Sequence, residues 1–171
     1  MRLFFALWPD GAAASALEHL AVTLAPSVEG RAVPREKIHL TLAFLGEVPA
    51  AEVERAIAAG DSVRACELKI CLDRVGSFRR AKVAWVGSDA TPAGLAALHV
   101  TLREALAERG FAIEDRDFAP HVTLVRRIAR ALPGKELPRA ISWRADGFSL
   151  VRSEPGTGRY SIVASWDLAP A

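Results

Sequence analysis

The stretch "PHVTLVRRI" occupies residues 120–128, and four of its letters return in "LHVTLREAL" at 98–106. A near-copy, "IHLTLAFL", fills 38–45. The same letters can build a strand or a helix, so their assignment decides the fold, and the flanks settle it. Around the middle copy the chain reads "TPAGLAALHVTLREALAERG" (91–110), with Thr91 as N-cap, Pro92 at the first helical position and Gly110 as stop. Leu95, Leu98, Leu102 and Leu106 recur there at helical spacing. The copies at 38–45 and 120–126 alternate apolar and polar residues and are rich in β-compatible side chains, which predicts strands.

Working outward, "RLFFAL" (2–7) reads as a buried strand, because Trp8-Pro9-Asp10 cuts the apolar run too short for a signal peptide. Asp10 then caps a helix over 11–24, carried by Leu17, Leu20, Ala21 and Leu24. A loop at 29–37 precedes the first H-x-T-L strand. A second helix is expected from Pro49 to Ala59, followed by two strands joined by a turn around Gly76–Arg80. Beyond the second H-x-T-L strand and a Pro/Gly loop, strands are expected near 140–144, 146–152 and 160–167. In each half a helix leads through a loop into a strand containing H-x-T-L, which suggests two similar halves around one cleft.

A chain of 171 residues suffices for one domain or two small lobes sharing a core. Its 51% hydrophobic and 25% charged residues are those of a folded soluble protein, and no apolar run approaches the ~20 residues of a membrane helix. Cys66 and Cys71 fit neither a disulfide framework nor a zinc pattern, and they read as small buried hydrophobes in a reduced, cytoplasmic compartment. A net charge of +2 announces no nucleic-acid coat. Yet Arg126, Arg127, Arg130 and Lys135 fall in a stretch without acidic residues, a patch suited to phosphate or equally a solvated basic edge.

In a strand, His39 and Thr41 share one face, as do His121 and Thr123, about 7 Å apart along the backbone. In the helix, His99 and Thr101 diverge by roughly 200° and cannot serve one ligand. The helical copy is therefore a decoy: His99 packs at the edge of the apolar stripe, and its replacement is expected to matter little for activity. His19 reads as a surface or boundary residue. Two opposed His-x-Thr strands supply one imidazole to accept a proton and another to donate one, as in-line displacement at phosphorus requires. The threonine hydroxyls can donate to non-bridging phosphate oxygens, and Arg126 or Arg127 can neutralise the growing charge. Strict alternation puts Arg127 on the His121 face. No metal or other cofactor is called for, since no metal-ligand pattern is present.

"HLTLAFLGEV" (39–48) and "FAPHVTLVR" (118–126), together with "RLFFAL", "GSFRRAKVAWVG" and "SLVRSEPGTGRYSIV" in that order, resemble the two-histidine phosphoesterases. Among these the chain is most similar to the RNA 2′,3′-cyclic phosphodiesterases, also called the 2′-5′ RNA ligase family. The resemblance implies one bilobal α+β domain spanning 1–171, with two antiparallel sheets cupping a central groove. It implies hydrolysis of an RNA terminal 2′,3′-cyclic phosphate to a 2′-phosphate. His39 would be the proton donor to the leaving O3′, and His121 the proton acceptor that activates water. Thr41 and Thr123 would bind phosphate, and the arginine five residues after the second histidine, Arg126, would join them. Phe5 and Phe44 match aromatic positions that contact the terminal base, with core packing as the alternative for both. Ala32 stands where some relatives carry a loop Trp.

The same residues would also serve 2′-5′ ligation, or a phosphodiesterase for a small cyclic nucleotide that differs only in groove shape. A non-catalytic RNA-binding module that kept the groove would be marked by loss of either histidine, and both are present. The implied partner is RNA ending in a 2′,3′-cyclic phosphate. No membrane and no obligate protein partner is expected, and the chain is expected to be a monomer.

Overall fold

The computed structural model describes residues 1–113 and 117–171. The two alternating copies fold as strands and the Leu-striped copy as helix, so the flanking residues decided each one. In order the elements are β1 (Arg2–Leu7), α1 (Gly11–Val28), β2 (Arg31–Ala32), β3 (Leu40–Glu47), α2 (Val53–Ser62), β4 (Leu68–Phe78), β5 (Val83–Gly87), α3 (Ala93–Glu108), β6 (His121–Arg126), β7 (Lys135–Ala145), β8 (Gly147–Ser153) and β9 (Tyr160–Asp167). Asp10 caps α1, its carboxylate accepting from the Ala13 N–H at 2.8 Å. Thr91 does not cap α3. Pro92 holds ψ at 138°, an extended value, so it stands before the first turn and the helix opens at Ala93. At the other end Gly110 adopts a φ of +80°, the left-handed stop its position predicts.

The fold is α+β, and its strands form one antiparallel sheet in the order β7-β4-β5-β6-β3-β1-β8-β9, with β2 paired to β6. Its centre is narrow: β3 and β6 meet at the single pair Leu40–Val122. Two four-stranded wings therefore flank a seam, and the two His-x-Thr strands are the seam. The wings do not divide the sequence in half. The β4–β5 hairpin, early in the chain, joins β6, while the late β8–β9 hairpin joins β1. With β3 and β6 abutting, the other edge of β6 takes the β4–β5 hairpin and the other edge of β3 takes β1, which carries the β8–β9 hairpin. Strand β7 begins before its sequence signal near 140–144 and takes in Pro138, a residue that argues against a strand. That residue is tolerated at a sheet edge, where the register with β4 slips between Leu72 and Arg74.

All three helices contribute to one core with the apolar face of the sheet, including Leu17, Ala56, Leu98, Leu3, Phe5 and Leu124. The opposite face of β1 carries a small separate cluster of Phe4, Ala6 and Val151, with Trp8 and Tyr160 packed against it. This second face holds the site. Cys66 is exposed and Cys71 half-buried, a correction to their expected burial. Leu68, Ile70 and Leu72 take the core-facing phase of β4, which turns Cys71 the other way. Among the described residues no helix is long and apolar enough to cross a membrane.

Candidate active site

Both His-x-Thr strands are bulged at the same place. Opposite the regular strand β1, Phe5 faces Ala43 and Ala6 faces Thr41, so Leu42 is the extra residue. Opposite β5, Ala84 faces Val125 and Trp85 faces Thr123, so Leu124 is the extra residue. Each is the final leucine of H-x-T-L. One inserted residue inverts the side-chain alternation beyond it. Accordingly Leu42 and Ala43 are both buried, as are Leu124 and Val125, and the following residues, Phe44 and Arg126, turn outward. This explains why the fifth residue after each histidine rejoins the histidine face. It also corrects the alternation that pointed to Arg127. That residue has already left the strand, with φ at +57°.

His39 is buried, with 9% of its surface exposed. Its Nδ1 donates to the Lys37 carbonyl at 2.7 Å, and because a carbonyl only accepts, the proton of the neutral ring sits on Nδ1. Nε2 is left to accept from the Thr41 hydroxyl at 3.1 Å. The ring stacks on Phe4 at 4.8 Å, meets Trp8 at 5.6 Å, and takes the edge of Tyr160 at 5.6 Å. Burial in this aromatic box is the main reason its pKa is pushed down to about 4. The Lys37 carbonyl opposes the shift, and the charges of Arg126 and His121 add to it.

His121 repeats the scheme on β6. Its Nδ1 donates to the carbonyl of Ala119, again two residues upstream, at 2.7 Å, so Nε2 is again the basic nitrogen of the neutral ring. It takes the ring of Phe78 at 5.0 Å and that of Trp85 at 6.5 Å. Trp85 lies across Gly76, where an added Cβ would come within 2.6 Å of the indole. Glycine at that position makes room for the wall of the His121 site.

A groove of about 730 Å³ opens on the His39 side. Thr41, Phe44, Tyr160 and Ala32 line it with five cations, Arg2, Arg31, Lys37, Arg126 and Arg127, and no acidic side chain among its lining residues. Arg2 lies over the ring of Phe44 at 5.2 Å. The basic stretch after β6 is only partly unopposed, since Arg130 pairs with Glu29 at 2.9 Å.

Of the residues singled out from sequence, His39, Thr41, Phe44 and Arg126 line this one groove. His121 and Thr123 lie on the adjoining strand, close enough for the charge of His121 to act on His39. Phe5 is not among them: it is fully buried against Phe148 and Trp166. Its neighbour Phe4 is the groove-face residue, because adjacent strand residues point to opposite faces. Phe4, Trp8, Tyr160, Phe78 and Trp85 were not picked out from sequence. Alternation along β1 would have separated Phe4 from Phe5, but the other four depend on strand pairings that local pattern does not reveal.

The family model described as the 2′-5′ RNA ligase superfamily matches residues 8–157. The RNA 2′,3′-cyclic phosphodiesterase of Escherichia coli is 34% identical over 170 residues, covering 98% of this chain and 96% of its own. That of Thermus thermophilus is 32% identical over 179 residues, covering 98% and 90%. The crystal structure of E. coli LigT complexed with 3′-AMP is similar at a TM-score of 0.85 and 34% identity, covering 98% of this chain and 97% of that one.

Proposed function

The chain belongs to the 2′-5′ RNA ligase superfamily, and from that premise we propose that it hydrolyses the 2′,3′-cyclic phosphate at an RNA end to leave a 2′-phosphate and a free 3′-hydroxyl. The observation that carries this reading is the matched pair of imidazoles, each fixed by an Nδ1 hydrogen bond to a carbonyl two residues upstream so that Nε2 is the basic nitrogen of the neutral ring. The relatives named RNA 2′,3′-cyclic phosphodiesterase support the substrate.

In the proposed step, water attacks phosphorus in line with the P–O3′ bond, which breaks. His121 takes the proton of the attacking water and His39 gives one to the leaving O3′, so the two histidines exchange protonation states over one turnover. Thr41 and Thr123 donate to the non-bridging oxygens, and Arg126 offsets the charge that grows on them. Burial keeps His39 neutral in the free protein. The seated phosphodiester anion replaces the water lost on burial and favours the imidazolium, so the acid is armed by its own substrate. Phe44, exposed in the groove, offers an apolar face to the terminal base, and residues 1–171 act as one catalytic unit whose wings each bring one histidine. We take the protein to work as a monomer in the cytoplasm, a setting consistent with two free thiols.

The test is incubation, in EDTA, with an RNA oligomer ending in a 2′,3′-cyclic phosphate, comparing the product with authentic 2′- and 3′-phosphate ends. A 2′-phosphate is expected. Joined oligomers as the main product would make ligation the reaction, and bound but unchanged oligomer would make the protein a binding module.

A further inference from the structure

A β-bulge takes a carbonyl out of the ladder, and a buried carbonyl needs a donor from elsewhere. At the bulge in β6 the Leu124 carbonyl accepts the backbone N–H of Val33 at 2.8 Å. At the bulge in β3 the matching Leu42 carbonyl receives no such strand. Its donor is a side chain, His99 Nδ1 at 2.8 Å, reaching from α3. The ring of His99 lies flat on Phe118, with centroids 3.9 Å apart and planes 6° from parallel, which fixes the direction of Nδ1. Phe118 is the residue before Ala119, whose carbonyl orients His121. One imidazole in the helical copy of H-V-T-L thus touches the bulge of the first catalytic strand and the approach to the second.

We propose that His99 is a positioning residue: it holds the β3 bulge through the Leu42 carbonyl, and so keeps Thr41 and Phe44 on the groove face beside His39. It does not touch the reacting atoms. The inference rests on the reading of Thr41 as a phosphate donor, and it departs from the small effect on activity that the sequence alone leads one to expect of this residue.

Two substitutions separate the contacts. His99→Phe keeps a flat ring against Phe118 and removes the N–H. His99→Asn keeps an N–H near the place of Nδ1 and removes the ring. Each is made in the full chain and in a Thr41→Val background, with kcat, KM and Tm measured on the cyclic-phosphate oligomer. His99→Phe is expected to lower kcat about ten- to a hundredfold with KM changed less than about threefold, since small misplacements of reacting groups cost that much. His99→Asn is expected to recover kcat to within about fivefold. In the Thr41→Val background the loss from His99→Phe should shrink to about threefold or less, because the group it positions is gone.

A folded His99→Phe protein with unchanged kcat would overturn the inference. So would equal fractional losses in both backgrounds, the mark of a general stability effect, or a folded but inactive His99→Asn protein should the phenylalanine variant not fold. Thr41→Val with unchanged kcat would instead overturn the reading of Thr41. A kcat loss in His99→Phe restored in His99→Asn would then still place His99 in control of the bulge.

Discussion

In the proposed reaction the chemistry turns on His39, because its surroundings oppose the charge that an acid must carry. Phe4, Trp8 and Tyr160 exclude water from the ring, and its pKa falls to about 4. The profile of kcat/KM against pH reports the free protein, so a loss of rate is expected as pH falls below about 4, whichever histidine is the base. The profile of kcat reports the bound complex, and the same ionisation should appear there at higher pH, because the substrate anion favours the imidazolium. Rates measured from pH 3.5 to 9 decide this; a kcat/KM profile already lost between pH 6 and 5 would mean that burial does not hold His39 neutral.

The bulges operate at the scale of the element. Without them, period-two alternation would carry the fifth residue after each histidine into the core, and Phe44 and Arg126 would be lost to the groove. With them, Arg126 stands on the His121 face while Arg127 falls just past the strand. Arg126→Ala is therefore expected to lower kcat by about 10²-fold, the scale on which one transition-state donor acts. Arg127→Ala should raise KM, through a weakened basic groove, with kcat within about threefold of wild type. Steady-state kinetics on both variants would show it, and the reverse ranking would restore the argument from simple alternation. The strand pattern of β1 teaches the same lesson at smaller cost. Adjacent phenylalanines point to opposite faces, so Phe4 and Phe5 cannot both meet a ligand.

For the molecule as a whole, the seam is the vulnerable place. The wings meet through one residue pair of the sheet, Leu40–Val122, although helices and core run beneath both. A buried histidine at that seam links stability to pH. Between its unfolded value of about 6.5 and its folded value of about 4, the unfolded chain binds the extra proton. The contribution is fully present above pH 6.5 and is lost as pH falls toward 4. Thermal melts at pH 7 and pH 4.5 should therefore show a larger fall in Tm for wild type than for His39→Asn, which cannot take up that proton. Equal falls would place the acid sensitivity of the fold elsewhere.

The sequence by itself determined the three long helices, most of the strands and the placement of both His-x-Thr pairs on strands, because backbone periodicity is local and appears within ten or so residues. It separated the helical H-V-T-L from the two strand copies for the same reason. It missed β2, which lies in the stretch expected to be a loop. Tertiary structure alone decided which hairpin joins which wing, why Arg126 and not Arg127 stands on the His121 face of the strand, and what boxes each histidine. A bulge is visible only against the partner strand it slips past. The aromatic walls come from residues as distant in sequence as Phe4 and Tyr160, or Phe78 and His121, brought together by pairing that no local pattern specifies. The role of His99 belongs to the same class, since its partner carbonyl at Leu42 lies 57 residues away along the chain.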